Sequence, residues 1–316
     1  MLTLIRSYCI SFVVVLVCCN SWVKAQQPPR ANVGKSTTAN QIVVFQKRPT
    51  QVNDEIHQKV QCDLDAERTI RQQNQLVDTT KQTLERMQDR TLKILALEGG
   101  RPTEARLDYR TSVTNVRDAQ KRSVEATQPV AGHVYFVQRQ GKELTITDES
   151  GKPITEEEDK ILREQLQNFG KPNPLAQFLN GKRVQVGQTI EVPKEVAVEL
   201  LGMTGNSAKT DALGLTLVAA RNIDGQPCAI FETILKTNGR ESVSLVMKGE
   251  LIVEANTCRT RSIRMHGPVA ISETKGPAIG RFTVSTNGTL KVAVTTRFEG
   301  DGVAGVGVAT KRKLFR

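Results

Sequence analysis

Apolar and polar side chains alternate with a period of two residues along most of this chain. Ile56, Val60 and Leu64 share one parity, whereas Lys59 and Asp63 share the other. This alternation is typical of a β-strand that buries one face and exposes the other to water. The pattern recurs through the C-terminal third of the sequence. The chain is therefore predicted to consist mainly of strands.

Short turns separate the predicted strands, which indicates an antiparallel meander. The turn sequence Glu-Gly-Gly-Arg-Pro at 98–102 predicts a hairpin between residues 90–98 and 104–116. Asn287-Gly288 suits a type I′ turn and predicts another hairpin. The predicted fold class is mainly β (α+β), as a large curved antiparallel meander sheet or open half-barrel with two or three short helices covering one face.

Residues 66–98 allow two interpretations. The run Arg71-Gln72-Gln73-Asn74-Gln75 has the composition of a helix. A long coiled coil requires a heptad of apolar residues, and the leucines of this segment do not keep a spacing of three and four. Threonines are scattered through the segment, and β-branched side chains favour strands. Strands are the favoured interpretation, with a helix as the alternative.

Helices are predicted only in the middle of the chain. Thr155 and Glu158 form a capping box, and the helix that follows places Leu162, Leu166 and Phe169 on one face. Phe178 belongs to a single apolar turn, and a further short helix follows it. Because an apolar sheet face must be covered, the segment 153–202 is predicted to cover it.

The first 25 residues are expected to be a secretory signal peptide. Arg6 gives the positively charged start, residues 10–19 are apolar, and Val23-Lys24-Ala25 places small residues before a cleavage site. The apolar run is about half of the ~20 residues that span a bilayer, so an uncleaved anchor is the alternative. No second run of that length exists, and the mature chain is predicted to be periplasmic or extracellular, without a transmembrane segment.

The domain organisation follows from these segments. Residues 1–25 are the predicted signal peptide, and the polar residues 26–40 are an expected disordered linker. A single β-rich domain is predicted for residues 41–298, with the helical insert 153–202 inside it. Residues 299–316 are rich in glycine and basic residues and are predicted to form a flexible basic tail.

Cysteine and histidine placement argues against disulfides and metals. Outside the predicted signal peptide the cysteines are Cys62, Cys228 and Cys258. A strand is expected between the segments that carry Cys228 and Cys258, and alternate strands lie about 9–10 Å apart, beyond the ~7 Å reach of a disulfide. No structural disulfide is therefore expected. His57 and the other two histidines lack neighbours at a metal-ligand spacing, so no metal site is predicted.

No motif of a known enzyme class is present in the sequence. The glycine-rich run at 302–307 has no helix after it, so it does not match a phosphate-binding loop. No catalytic residue and no cofactor are predicted, and the chain is expected not to be an enzyme. An enzyme of unrecognised class is kept as a third alternative for the function.

The net charge and the low aromatic content limit the kinds of molecule that the chain is expected to bind. Lys and Arg number 44 against 33 Asp and Glu, for a formal net charge of +11. Aromatic residues make up only 4% of the chain, and its one tryptophan, Trp22, lies in the predicted signal peptide. Binding of single-stranded nucleic acid relies on aromatic side chains for stacking, so nucleic acid is not an expected partner. An anionic envelope polymer suits the charge better, and the alternative is that the basic residues only keep the sheet soluble.

Several segments carry a resemblance to a family. They are residues 98–109, 132–137, 172–182 with 186–193, and 248–254 with 265–269. These segments resemble uncharacterised exported proteins of environmental, planctomycete-like Gram-negative bacteria. The strand-rich layout with helices across one face is similar to the open half-barrels of LolA- and LppX-type lipid and lipoprotein carriers. That similarity implies a half-barrel fold.

The strand pattern and the helical insert together suggest a non-catalytic binding protein. A lipid or lipoprotein ligand is expected in the concavity of the sheet, beneath the segment 153–202. The side chains expected to contact this ligand are Leu166, Phe169 and Phe178. The alternative is an envelope structural or interaction protein whose basic surface contacts anionic cell-envelope polymers.

Overall fold

The computed structural model describes residues 41–120, 122–200, 210–237, 243–276 and 281–299. The predicted signal peptide and linker lie outside the described residues. The predicted basic tail does so too, except for Glu299, which ends the last strand.

The described residues form fourteen strands and three helices. The strands are β1 Ile42–Val44, β2 Glu55–Gln72, β3 Gln75–Glu98, β4 Arg101–Asp118, β5 Ser123–Thr127, β6 Val134–Gln140, β7 Glu143–Asp148, β8 Arg183–Gln185, β9 Thr189–Val192, β10 Thr210–Ile223, β11 Gln226–Thr237, β12 Val243–Glu254, β13 Thr260–Lys275 and β14 Phe282–Glu299. The helices are α1 Glu156–Leu166, α2 Pro174–Leu179 and α3 Lys194–Leu200.

Twelve of these strands form one antiparallel sheet that does not close on itself. Its order is β7-β6-β4-β3-β2-β14-β13-β12-β11-β10-β9, with β5 paired to β4, and β1 pairs separately with β8. Most neighbours in the sheet are also neighbours in sequence. The main exception is the pairing of β2 with β14, which joins the two ends of the chain across eighteen registered positions. The predicted fold class, an open antiparallel sheet with a few short helices, is confirmed.

Residues 66–98 are strands, as the scattered threonines indicated. β2 continues to Gln72, and β3 begins at Gln75. Gln73 and Asn74 connect them with φ angles of 49° and 64°, the left-handed conformation that a two-residue type I′ hairpin requires. The helical propensity of the glutamine-rich run is overridden because both strands pair along their whole length with neighbouring strands.

The predicted hairpin at Asn287-Gly288 is wrong. Both residues lie inside β14, where Asn287 pairs with Glu67 on one side and with Ala270 on the other. Gly288 is required there for a different reason. A Cβ on Gly288 would lie 2.2 Å from the backbone oxygen of Asp65, a distance that no side chain tolerates.

Gly288 is one of three strand glycines that share this feature. A Cβ on Gly249 would lie 1.8 Å from the backbone oxygen of Arg264, and a Cβ on Gly267 would lie 2.0 Å from that of Val246. The three glycines occupy the adjacent strands β12, β13 and β14. Glycines in a strand interior permit this close approach and mark the places where a sheet bends. They allow the local curvature of the open sheet.

Two apolar clusters fill the covered face of the sheet. The first joins β2 and β10–β14 to α2, α3 and the segment around Phe45. The second joins β3, β4, β6 and β7 to α1, through Leu162, Leu166 and Phe169. The three short helices thus pack against the apolar face of the sheet, as expected for the predicted fold class.

A buried polar network ties α1 to the sheet. Arg90 of β3 donates to Gln58 Oε1 of β2 and to Gln165 Oε1 of α1, and the Tyr109 hydroxyl of β4 donates to the same Gln165 oxygen at 2.8 Å. All of these side chains are buried. Buried polar groups stabilise only when they are paired, so these hydrogen bonds fix the position of α1 on three neighbouring strands.

The N-terminus of α1 has the predicted capping box. Glu158 accepts hydrogen bonds from the Thr155 backbone at 2.9 Å and from the Tyr135 hydroxyl at 2.6 Å, and His133 Nδ1 lies 2.9 Å away. Burial by itself raises the pKa of this carboxyl, but the hydrogen bonds from Tyr135, Thr155 and His133 outweigh it and lower the pKa to about 2. The carboxylate thus joins α1 to β6.

Replacing Glu158 by glutamine is expected to lower the free energy of unfolding by about 1–2 kcal/mol at pH 7, because the charge-assisted hydrogen bonds are lost. A folded-state pKa below the ordinary value gives stability that is present above about pH 4.5 and is lost as the pH falls towards 2. The difference between Glu158→Gln and the unaltered chain should therefore shrink over that range. Urea denaturation at several pH values measures it, and exposed Glu157→Gln is the control. An equal loss at Glu157 would contradict this role.

The three cysteines among the described residues have buried thiols. Cys62, Cys228 and Cys258 are buried and form no disulfide with one another. Burial raises the pKa of Cys228 and Cys258 to about 11, which suppresses their thiolate forms.

Within the described ranges, no helix has the length and apolarity needed to cross a membrane.

Candidate functional site

A cleft of about 540 Å³ opens at one end of the sheet, between the two apolar clusters. Its walls come from the segment 47–50, the turn between β3 and β4, the connection from α1 to α2, and the turn between β12 and β13. The residues that form these walls lie far apart in sequence, so only the folded sheet brings them together.

The segment that precedes β2 crosses the cleft as a strap, here defined as residues 45–54. Phe45 anchors it, because this ring is fully buried and stacks on Phe231 at a centroid distance of 5.9 Å. Backbone hydrogen bonds then run from Gln46 to Ala255 and from Asn53 to Ile94. The strap is thus fastened to the sheet at both of its ends.

The floor of the cleft is apolar. It is lined by side chains of the sheet and of the connection that follows α1, and these are Ile56, Leu92, Ile94, Phe169 and Phe298. Leu92 and Ile94 are buried on the covered face of β3, and Phe169 packs with them in the second cluster. Most of the floor of the cleft is therefore a part of the second apolar cluster that borders on solvent.

The rim of the cleft is basic. Five of its lining residues are cationic, namely Lys47, Arg48, Arg101, Lys171 and Arg259, and Asp54 is the one carboxylate among the lining residues. Asp54 accepts a hydrogen bond from Arg259 at 2.6 Å, so its charge is already neutralised. Lys47, Arg101 and Lys171 are exposed. Low-dielectric walls concentrate the field of such charges, so the cleft attracts anions.

The Arg259 guanidinium connects the rim to the floor. It lies 4.6 Å from the centre of the Phe298 ring, in the arrangement of a cation–π contact. Burial lowers its pKa, although the nearby Asp54 carboxylate acts in the opposite direction. Arginine keeps its charge under such conditions, so the inner end of the cleft holds a fixed positive group.

A shallower basic groove adjoins the cleft. Arg101 and Lys171 belong to both, and the groove continues past Arg139, Lys142 and Arg163 over a volume of about 890 Å³. Burial lowers the pKa of Arg139. Positive charge therefore extends beyond the cleft through Arg139 and Lys142, whereas Arg163 is paired with Asp159 at 2.6 Å and Glu143 also lines the groove.

The three residues predicted to contact a ligand take different positions. Phe169 lines the cleft. Leu166 is 1% exposed and is packed between α1 and the sheet. Phe178 is partly buried against the first cluster, and the Lys182 ammonium lies 4.4 Å from the centre of its ring. Side chains thus fill the space between the helices and the sheet, and the cleft lies beside the helices.

Sequence reasoning missed the strap and the basic rim. The apolar run at 42–45 contains the short strand Ile42–Val44, but nothing in its sequence identified Phe45 as an anchor. The rim residues come from four separate segments, and no local spacing relates them. The turn at 98–102 was the one available signal, since it placed Arg101 at the end of a predicted hairpin.

Comparisons with known proteins include a weak structural likeness. No protein-family model and no curated protein matches the sequence. Solved structures that match include one of lipovitellin, concerned with lipid–protein interactions in that protein, with 8% sequence identity and a TM-score of 0.35. The likeness covers 78% of this chain and 26% of the lipovitellin chain, so the chain spans about a quarter of it. A TM-score this low carries no ligand or activity from one chain to the other.

Proposed function

We propose that the chain is a non-catalytic binding protein for an anionic amphiphile, a molecule with an apolar tail and a negatively charged head group. The observation that carries this proposal is the cleft itself, in which an apolar floor lies beneath five cationic side chains and one carboxylate that is already paired. An apolar tail would contact Ile56, Phe169 and Phe298, and the head group would contact Arg101 and Lys171.

The dimensions of the cleft support a small-molecule ligand. Its volume of about 540 Å³ falls within the ~300–1,000 Å³ of ligand pockets that combine apolar walls with a few polar groups. The apolar floor supplies affinity through the burial of hydrocarbon, at about 0.8 kcal/mol for each buried CH₂. The cationic rim supplies the preference for a charged head group.

Export is part of the same proposal. The sequence of residues 1–25 predicts a signal peptide, and an exported protein would meet envelope lipids and lipidated proteins. The resemblance to exported proteins and to LolA- and LppX-type carriers agrees with a lipid-like ligand. The binding place proposed here is the cleft at the end of the sheet, beside the helices, rather than the space directly beneath them.

Reversing two rim charges is expected to weaken the binding of an anionic amphiphile. The double variant Arg101→Glu/Lys171→Glu should bind a fluorescent long-chain fatty acid about tenfold more weakly than the unaltered chain, since both exposed cations face the proposed head group. Binding of the corresponding uncharged alcohol should change far less. Titration with the two ligands, followed by fluorescence, gives both dissociation constants.

A charge-matched control separates the cleft from net charge. Lys236→Glu/Lys291→Glu makes the same change of charge at exposed positions of β11 and β14 that do not line the cleft. This control should leave the affinity for the fatty acid close to that of the unaltered chain. An equal loss in both double variants, or no difference between acid and alcohol, would contradict the proposed site.

The basic groove favours a second candidate function, the binding of an anionic envelope polymer. Arg139 and Lys142 extend the charge of the rim along a surface that is longer than a single head group needs. Such binding would be electrostatic and would weaken steeply as salt rises. Retention of the chain on a polyanion column, measured between low and high salt, tests it. Retention that persists in high salt would count against this candidate.

A further inference from the structure

Three side chains from β2 and β14 meet on the outer face of the sheet. Glu55 and His57 belong to β2 and share a parity opposite to that of Ile56, which lines the cleft. Glu299 belongs to β14 and pairs in register with Glu55. The three ligand-type atoms, one from each side chain, all lie within 4.8 Å of one another. This cluster is therefore separate from the cleft and lies behind it.

His57 is the most buried member of the cluster. Its side chain is 11% exposed, and its Nδ1 lies 2.8 Å from the hydroxyl of Thr91 on β3. A hydrogen bond at one ring nitrogen fixes the orientation of the ring and presents the other nitrogen in a set direction. Metal-binding histidines commonly have such a partner.

The other ring nitrogen lies close to both carboxylates without a hydrogen bond. His57 Nε2 lies 3.3 Å from Glu55 Oε1 and 3.0 Å from Glu299 Oε1. It is nevertheless buried and makes no hydrogen bond. The nitrogen and the two carboxylate oxygens therefore lie close enough together to bind one metal ion.

The separations suit a metal ion. Zinc bonds of about 2.0–2.1 Å in tetrahedral geometry place neighbouring ligand atoms about 3.3–3.4 Å apart. The separations of 3.3 Å and 3.0 Å from Nε2 are close to that value. Glu299 is 62% exposed, so the fourth position faces water. Three protein ligands with one open position are a common arrangement for zinc.

We infer that Glu55, His57 and Glu299 form a binding site for a divalent transition metal of the zinc type. The imidazole ligand favours zinc over calcium and magnesium, which prefer sites made only of oxygen. Lys93 pairs in register with Glu55, and Arg297 pairs in register with His57. These neighbouring cations repel any bound metal ion. The repulsion disfavours calcium and magnesium more than zinc, because zinc also bonds to the imidazole nitrogen.

Isothermal titration calorimetry tests the site. The full chain without a histidine tag, stripped of metal with a chelator, is titrated with zinc chloride and separately with calcium chloride. The expected result is one zinc ion per chain and no comparable calcium binding. His57→Ala should abolish zinc binding, and Glu299→Gln, at an exposed position that the packing does not need, should weaken it by about tenfold or more.

His266→Ala is the matched control, because His266 is an exposed histidine on β13 outside the cluster. It should bind zinc like the unaltered chain, and circular dichroism should show the same strand content in every variant. No zinc binding by the unaltered chain would overturn the inference. Zinc binding that survives both His57→Ala and Glu299→Gln would overturn it as well.

Discussion

Phe45→Ala is expected to lower the free energy of unfolding by about 3–5 kcal/mol. The Phe45 ring has no exposed surface, and it stacks on Phe231 inside the first apolar cluster. Its removal leaves a cavity that the surrounding strands cannot fill. The strap should also loosen, because Phe45 fixes the end of the strap that lies next to α2. Urea denaturation followed by circular dichroism measures the loss of stability.

Val44→Ala is the control for this prediction. Val44 is the preceding residue, is 43% exposed, and is the last residue of β1. Its substitution should change the free energy of unfolding by no more than about 0.5 kcal/mol. A loss at Phe45 no larger than the loss at Val44 would show that the strap is not anchored by this ring.

Gly288→Ala is expected to destabilise the chain by about 3 kcal/mol or more. The intrinsic conformational preference of alanine would instead predict that this substitution stabilises the chain. Alanine in place of glycine ordinarily stabilises a helix or strand by about 0.5–1 kcal/mol. A Cβ at this position would lie 2.2 Å from the Asp65 backbone oxygen and 2.8 Å from Ala66. Strands β14 and β2 would have to separate, and overpacking of this kind is costly. Thermal and urea denaturation give the sign and the size.

Gly214 of β10 provides the matched control. A Cβ there would meet only the end of the flexible Glu191 side chain, at 3.4 Å. Gly214→Ala is therefore expected to be neutral or slightly stabilising. If Gly288→Ala behaved in the same way, β14 and β2 would not approach as closely as described, and the bend at the three strand glycines would be refuted.

The sheet was predictable because its main signal is local. Period-two alternation identified most of the strands, and the capping box identified the start of α1 at Thr155. Asn287-Gly288 was misassigned because the same two residues suit a tight turn and a crowded strand interior. The difference lies in the strand that packs beside them, since Asp65 is distant in sequence and adjacent in the sheet.

The candidate site was less predictable, because its parts meet only in the fold. Phe169 was identified from its place on a predicted apolar helix face. Leu166, on the same predicted face, is instead buried between α1 and the sheet. Arg259 and Asp54 are 205 positions apart and form one buried ion pair. The cluster around His57 was missed for the same reason, because Glu299 comes from the other end of the described chain.

Photolabelling tests the central claim, the binding of an anionic amphiphile in the cleft, most directly. The chain is irradiated with a long-chain fatty acid that carries a diazirine near the end of its tail, and the labelled residues are mapped by mass spectrometry. The predicted result is saturable labelling, suppressed by excess unlabelled fatty acid, in the strap and at residues 92–102 and 168–177. Labelling concentrated at the exposed apolar residues Leu76, Val77 and Val124 at the tips of β3 and β5, or no saturable labelling, would contradict it.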